Sequence, residues 1–249
     1  VKWEKGWPVV GLGGFIKPVM EVDGLPLKPW GPDAEEPEHV DFTQPLGLFW
    51  NYLRNPQREN YSLDERPGYL RLKGAAGTVA EEVSPTFLGR RQRHFHVIAE
   101  TLVDFEPQVD GEEAGLTSYM NHKHHYEIAV TMKDGIKKLI FRRQIGTLVK
   151  VENEVALGEG PVRLSADVDK YWYRFSYAQG KEELTPFGEG EVQYLSTEVG
   201  GAFTGVYLAM YAAGNGKACT VPADFDYFLY HIKPEEFEDE KDSMLDLDD

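Results

Sequence analysis

The residues best suited to chemistry in this 249-residue chain are the histidines of one short stretch, NHKHHYE (Asn121–Glu127). On a β-strand, His122 and His124 would lie on one face, where two imidazoles at that spacing can chelate a metal ion. However, residues 121–123 stand between two alternating runs, a position typical of a hairpin tip whose polar side chains face water. No third ligand is evident, so we expect no metal site, although the sequence leaves binding by His122, His124 and His125 open.

Other candidates for chemistry are weaker. In HFH, His94 and His96 would lie on the outward face of a strand, which indicates a solvated or paired surface. The chain has no G-x-S-x-G motif, and Cys219 has no catalytic-cysteine signature, so nucleophilic catalysis is unsupported. The sequence GLGG from Gly11 lacks the third glycine of the dinucleotide fingerprint and predicts only a turn. We therefore expect no cofactor.

Carboxylates are the remaining possibility, because a glycosidase needs only a suitably spaced pair of them. The chain has 42 acidic residues, but we expect these to lie in turns, at outward strand positions or in the C-terminal tail. Nothing in their spacing indicates a buried pair, so no catalytic residue is assigned. The exposed aromatic Trp172 would suit stacking on a sugar, although burial under a second layer is the simpler expectation. Asn60 begins an N-x-S sequon, which matters only if the chain is secreted.

Charge restricts the class of partner. The net charge is −16, which argues against nucleic acid and anionic membranes as partners. Half of this charge belongs to residues 235–249, which hold nine acids and one lysine, and such a run predicts a solvated, disordered tail. A single cysteine excludes an internal disulfide but does not indicate a compartment, so localisation stays unknown.

The hydrophobic pattern has a period of two over most of the chain. In HFHVIAETLVDFEP, alternate residues from Phe95 to Phe105 would lie on one face, and KYWYRFSYA repeats the pattern from Tyr171 to Tyr177. Further short strands follow at even spacing, with turn signals such as KDG between them, and the only helical candidate is a short turn near EVQYLSTEV. This arrangement predicts an all-β protein, an antiparallel β-sandwich or barrel.

The composition also divides the chain into segments. Residues 29–45 are rich in proline and acids and predict a linker. We expect a separate strand-and-turn piece in residues 1–28, the sandwich in residues 46–233 and the acidic tail in residues 234–249.

Several stretches, in order, resemble the C-terminal concanavalin A-like β-sandwich of glycoside hydrolase family 43 β-xylosidases, and the opening WEKGWPVVG resembles the end of that family's catalytic propeller. The resemblance implies a concanavalin A-like jelly roll, and it implies that the chain begins inside the last propeller blade. NHKHH and the acidic tail depart from the family pattern. The resemblance rests on ENYSLDERPGYLRLKG (Glu59–Gly74), FLGRRQRHFHVIAETLVDFEP (Phe87–Pro107), AGLTSYMNHKHHYEIAV (Ala114–Val130), GAFTGVYLAMYA (Gly201–Ala212) and PADFDYFLYHI (Pro222–Ile232).

The resemblance also implies where the chemistry lies. In this family, which inverts configuration, the general base, the general acid and a pKa-tuning aspartate all belong to the propeller, so none maps onto this chain. The sandwich contributes a loop that presents one phenylalanine to the terminal sugar, and the matching residue is Phe203. Gly200, Gly201 and Gly205 would let this loop approach a neighbouring surface closely. The alternative is that Phe203 is a core residue at the start of a strand.

Three functions follow as hypotheses. The first is an accessory domain of a β-xylosidase or α-L-arabinofuranosidase in xylan degradation, with a catalytic propeller as partner, xylo-oligosaccharides bound through that partner, and no activity alone. The second is a free-standing carbohydrate-binding module for xylan or xylo-oligosaccharides. The third is an enzyme with an unrecognised carboxylate pair in the sandwich. We favour the first.

Overall fold

In the computed structural model, the described residues are 2–9, 36–180, 182–201 and 203–234. Most of the N-terminal piece, the first half of the predicted linker and nearly all of the predicted acidic tail lie outside these residues. The chain divides into two units, Val1–Glu36 and Pro37–Asp249. The strands are β1 (Lys2–Glu4), β2 (Trp7–Val9), β3 (His39–Val40), β4 (Trp50–Asn51), β5 (Tyr61–Ser62), β6 (Leu70–Leu72), β7 (Thr86–Arg91), β8 (Val97–Asp104), β9 (Glu113–Asn121), β10 (His124–Lys133), β11 (Ile136–Ile145), β12 (Leu148–Ala156), β13 (Val162–Val168), β14 (Trp172–Gln179), β15 (Thr185–Glu191), β16 (Tyr207–Ala213) and β17 (Ala223–Ile232).

In the first unit, β1 and β2 form an antiparallel hairpin in which Lys2 pairs with Val9. Its turn consists of Lys5 and Gly6, both with positive φ, 52° and 81°. Two positive φ angles in a two-residue turn match the right-handed twist of the flanking strands, and glycine adopts them without strain.

The second unit contains two antiparallel sheets. One has the strand order β12-β11-β10-β9-β16-β7-β4, and the other has the order β15-β14-β13-β8-β17-β6-β5, with β3 added at β17. A single large apolar cluster with side chains from both sheets lies between them. This confirms the predicted two-sheet antiparallel sandwich. Because His39 and Val40 pair with Leu229 and Phe228 of β17, part of the segment predicted as a linker belongs to this unit.

Within the strands themselves, alternation places the core as the sequence predicts. In β8, Val97, Ala99, Thr101 and Val103 are buried and the residues between them are half-buried. The KDG signal forms the β10–β11 turn, where Asp134 and Gly135 have φ of 56° and 69°. The predicted helical turn contains a 3₁₀-helix (Val192–Leu195) and α1 (Thr197–Gly200). No helix in the described part of the chain is long and apolar enough to span a membrane.

Candidate functional site

Phe203 lies on a loop between α1 and β16, and its side chain is fully exposed at 102%. The strand predicted to start at this residue begins four positions later, at Tyr207, so Phe203 is not part of the core. Gly201 and Gly205, which flank the loop, both have φ of 70°, a conformation that other residues adopt only with strain. The backbone therefore turns sharply on both sides of an aromatic side chain that touches little of its own unit.

The base of this loop is held against the sandwich. The Asn121 side chain donates a hydrogen bond to the Gly200 carbonyl at 2.9 Å. A Cβ atom at Gly200 would lie only 3.1 Å from Cγ of Met120, so glycine permits the close approach of this turn to β9. The loop thus has a fixed base and presents Phe203 beyond it.

The histidines of NHKHH point to different partners. His122 lies in the β9–β10 turn rather than on a strand, 3.5 Å from a carboxylate oxygen of Glu82. His124 and His125 begin β10, and their Nδ1 atoms contact the carbonyls of Tyr194 at 2.9 Å and Asn121 at 3.1 Å. Among the described residues, no group of three or more His, Cys, Asp or Glu side chains could hold a metal ion.

The other pair of histidines also makes separate contacts. His94 Nδ1 lies 3.2 Å from the hydroxyl of Tyr230, and the backbone carbonyl of His96 accepts a hydrogen bond from the Lys233 amide at 3.1 Å. The Asn60 side-chain amide of the sequon donates to Gln57 and Thr86 at 3.3 and 3.2 Å. The side chains of His94 and Asn60 and the backbone of His96 therefore form hydrogen bonds within the protein itself.

Two acidic residues lie at outward strand positions, as expected, but they form a buried pair that the sequence did not indicate. Glu113 on β9 and Glu127 on β10 are buried on the outer face of the seven-stranded sheet, and both bind the guanidinium of Arg142. Arg142 donates to Glu113 at 2.6 and 3.0 Å and to Glu127 at 2.6 Å. Tyr211 donates a further hydrogen bond to Glu113 at 2.6 Å. We call these four side chains, together with His125, the buried polar cluster.

Part of this face is buried by a segment far away in sequence. Val79 packs in a second apolar cluster with Phe87, Tyr119 and Tyr211, so the segment around Val79 covers part of the outer face of the sheet. Arg54 anchors this cover by donating to the carbonyl of Val83 at 2.6 Å. One signal was available in the sequence: the residues beside Glu127 on this face, Gly115, Thr117 and Ala129, are small, as a covered surface requires.

The electrostatics of the buried polar cluster do not suit glycoside hydrolysis. Burial alone would raise the pKa of Glu127, but the adjacent Arg142 charge holds that pKa below its ordinary value. A general acid needs a raised pKa and contact with the glycosidic oxygen, whereas Glu127 is ionised and buried. The hypothesis of a catalytic carboxylate pair within the sandwich is therefore not supported by this pair.

His125 makes the buried polar cluster sensitive to pH. Its Nε2 lies 3.6 Å from Glu127, and burial lowers the pKa of this imidazole. The unfolded chain, in which histidine has a pKa of about 6.5, then takes up a proton that the folded chain does not. We expect the free energy of unfolding to fall as the pH drops below about 6.5, by at most ~1.4 kcal/mol per pH unit from this group.

Urea unfolding at several pH values between about 7.5 and 5 measures this effect. His125→Gln removes the titrating group and should flatten the pH dependence across this interval. His231→Gln, which removes a half-exposed imidazole bound to Glu38 at 2.9 Å, should keep most of the wild-type dependence. Equal slopes for wild type and His125→Gln would contradict the assignment.

Comparison with known proteins identifies the family. The sequence model described as the beta-xylosidase C-terminal concanavalin A-like domain of glycoside hydrolase family 43 matches residues 39–231. The chain belongs to this family. The match confirms both the resemblance found in the sequence and the concanavalin A-like fold class.

Curated relatives are longer than this chain. The non-reducing end alpha-L-arabinofuranosidase BoGH43B of Bacteroides ovatus is 38% identical over 233 residues, which cover 92% of this chain and 43% of the relative. The xylan 1,3-beta-xylosidase of a Vibrio species is 30% identical over 241 residues, with coverages of 92% and 43%. The chain thus spans less than half the length of these family 43 relatives and matches their C-terminal part.

Solved structures of longer proteins superpose on most of this chain. A structure described as Bacteroides ovatus Xyloglucan PUL GH43B superposes with a TM-score of 0.83 at 37% identity, covering 93% of this chain and 46% of that one. The xylan beta-1,4-xylosidase of Bacillus halodurans superposes with a TM-score of 0.73 at 30% identity, with coverages of 82% and 41%. Each of these two solved chains therefore contains the sandwich as less than half of its length.

Proposed function

We propose that this chain is the C-terminal accessory domain of a β-xylosidase/α-L-arabinofuranosidase-like glycoside hydrolase. It supports a catalytic propeller and closes the active-site pocket of that propeller with Phe203. The catalytic acid and base belong to the propeller, and the chain alone hydrolyses nothing. The observation that carries the proposal is the full exposure of Phe203 on a loop with an anchored base, in a domain whose family occurs at the C-terminus of such enzymes.

The alternative, a free-standing carbohydrate-binding module, has less support. Sugar binding on a sheet face uses exposed aromatic rings that stack on the sugar. On the outer face of the seven-stranded sheet, Tyr119 and Tyr211 are buried, and residues 75–85 cover them. The most exposed aromatic side chains of the sandwich, Phe95, Tyr171 and Phe203, lie on loops and not on a sheet face.

The proposal predicts that the isolated chain hydrolyses neither aryl β-xylosides nor aryl α-L-arabinofuranosides. The physical reason is the absence of a positioned general acid and base, each of which contributes about 10²–10⁴-fold to such reactions. The measurement is release of the aryl group by the purified chain. Turnover that disappears after a point substitution in this chain would contradict the proposal, since a contaminating glycosidase would be unaffected.

A chimera tests the supporting role. In it, this chain replaces the region of the Bacteroides ovatus α-L-arabinofuranosidase that it matches, which is 43% of that enzyme. The chimera should hydrolyse an aryl α-L-arabinofuranoside, and the same enzyme truncated before the replaced region should be less active or less stable. A chimera no better than the truncated enzyme would refute the accessory role.

A further inference from the structure

Three loops meet at one end of the sandwich, which we call the Phe203 end. β8 begins at Val97 beside the last residue of β13, Val168, so residues 92–96 and 169–171 are neighbours. The Gln92 amide donates to the carbonyl of Val206 at 2.8 Å, and the Val192 amide donates to the carbonyl of Tyr171 at 2.8 Å. These bonds join both loops to the segment 192–206 that contains Phe203.

Two more aromatic side chains are exposed at the Phe203 end. Phe95 is 62% exposed and Tyr171 is 72% exposed, although the sequence pattern placed both on the buried face of their strands. Each lies just before its strand begins, at Val97 and Trp172, so neither is part of the core. Four other exposed apolar side chains lie on elements at this end: Leu48 just before β4, Leu148 at the start of β12, Val199 in α1 and Ile232 at the end of β17.

The opposite end of the sandwich differs. Its exposed large apolar side chains among the described residues are Val83, Ile136 and Leu184, each less than half exposed, and it shows no exposed aromatic ring. Large exposed apolar patches mark interaction sites in proteins, and exposed aromatic side chains are typical anchors of protein interfaces. The uneven distribution therefore points to the Phe203 end as an interaction surface.

A cavity of about 300 Å³ opens at this end. Its apolar lining comes from Phe95, Tyr173, Val192, Leu195 and Val206, and its polar lining comes from Gln92, Arg93, His94 and Asp169. The volume lies at the lower limit of ligand pockets and would hold one large side chain.

The Gln92 and Asp169 side chains of this cavity are already engaged. Gln92 accepts a hydrogen bond from the Tyr173 hydroxyl at 2.7 Å and donates to the carbonyl of His94 at 3.0 Å. Asp169 accepts the amides of Tyr171 and Trp172 at 2.7 and 2.8 Å and pairs with Arg174 at 2.5 Å. A sugar needs polar partners for its hydroxyl groups, whereas an apolar side chain needs only the walls that this cavity offers.

We propose that Phe95 and Tyr171 anchor the catalytic part of the enzyme against the Phe203 end, and that the cavity beside Phe95 receives an apolar side chain of that part. This inference rests on the proposed function, because it names the surface through which the accessory domain docks. The occupant is the remaining half of a family 43 enzyme, since the relatives of this chain are more than twice the length that it matches. Docking there also fixes the base of the loop that carries Phe203.

Hydroxyl-radical footprinting tests this surface in the free chain and in the Bacteroides ovatus chimera described above. Aromatic side chains react with the radical in proportion to their exposure, so the free chain should be oxidised at Phe95, Tyr171 and Phe203. In the chimera we expect loss of most of the oxidation at Phe95 and Tyr171, whereas Ile136, 48% exposed at the opposite end, should react equally in both proteins.

A double variant of the chimera, Phe95→Ser with Tyr171→Ser, should restore oxidation at Phe203 because the anchors are lost. In the matched variant Ile136→Ser, the oxidation of Phe203 should equal that in the unchanged chimera. All three substituted residues are exposed, so the fold of the sandwich should survive, and its thermal unfolding provides the check.

The possible outcomes are distinguishable. An active chimera in which Phe95 and Tyr171 remain fully oxidised would overturn the docking surface and leave the accessory role intact. An inactive chimera in which Phe203 also stays oxidised would overturn both. Saturable binding of xylotriose to the free chain, abolished by Tyr171→Ser, would show that this end is a sugar site instead. A dimer of the free chain that the same substitution abolishes would show that it is a self-association surface.

Discussion

Replacing Arg142 with methionine is expected to lower the free energy of unfolding by about 3–5 kcal/mol, the usual cost of removing one partner from a buried ion pair. Arg142 is the cation that the Glu113 and Glu127 carboxylates contact directly, at 2.6–3.0 Å. Both acids are buried, so without the guanidinium two negative charges would stay in a low-dielectric environment with little compensation. Urea unfolding at neutral pH measures the loss.

Arg143, the next residue on β11, provides the matched control. It pairs with Glu152 at 2.6 Å and Glu191 at 2.9 Å, but these side chains are partly exposed. Ion pairs that water can reach contribute little, so Arg143→Met should cost about 1 kcal/mol or less. A similar small loss for Arg142→Met would show that the buried polar cluster does not stabilise the fold.

A rescue variant separates the charge effect from lost packing. Glu113→Gln and Glu127→Gln in the Arg142→Met background remove the uncompensated charges while keeping the size of the side chains. Part of the lost stability should return, because a buried neutral amide costs less than a buried carboxylate. If the triple variant is no more stable than Arg142→Met, the loss comes from packing around the methionine instead.

The sheets could be predicted from the sequence where the local pattern decides the structure. β8 alternates because one face packs on the core and the other does not, and a period of two makes that visible in eight residues. β15 (TPFGEGE) shows the limit. A Cβ atom at Gly188 would lie 2.1 Å from Cδ1 of Phe141, and one at Gly190 would lie 2.4 Å from Cε2 of Tyr126. These glycines make room for rings of another strand, but in the sequence they resemble turn residues.

For the candidate sites, too, the local sequence pattern predicts some features and not others. The position of Glu127 on the outer face of β10 follows from alternation with Tyr126 and Ile128, but its burial beside Arg142 of the next strand is not visible in the local pattern. Local alternation likewise assigned Phe95 and Tyr171 to the core, although they precede their strands. Phe203 could be singled out by family resemblance alone, since neither its chemistry nor its spacing distinguishes it from a core phenylalanine.

The proposed role of Phe203 leads to a quantitative expectation for the assembled enzyme. In the active chimera, Phe203→Ala should lower kcat/KM about tenfold to a hundredfold, because partial burial of a phenylalanine ring against a sugar contributes roughly 1–3 kcal/mol. The ring has no titratable group and can act only by narrowing the pocket and excluding water. Steady-state kinetics with an aryl α-L-arabinofuranoside measure the effect.

The pH profile distinguishes this role from a chemical one. Since the titrating carboxylates of the proposed mechanism lie on the propeller, Phe203→Ala should scale kcat/KM without changing the shape of its pH dependence. Phe203→Leu keeps an apolar side chain and should retain part of the activity, whereas Ile136→Ala at the opposite end of the sandwich should have no effect. If Phe203→Ala leaves the kinetics unchanged in a chimera whose Phe95 and Tyr171 are protected, the domain docks but does not close the pocket, and its contribution to the enzyme is structural support.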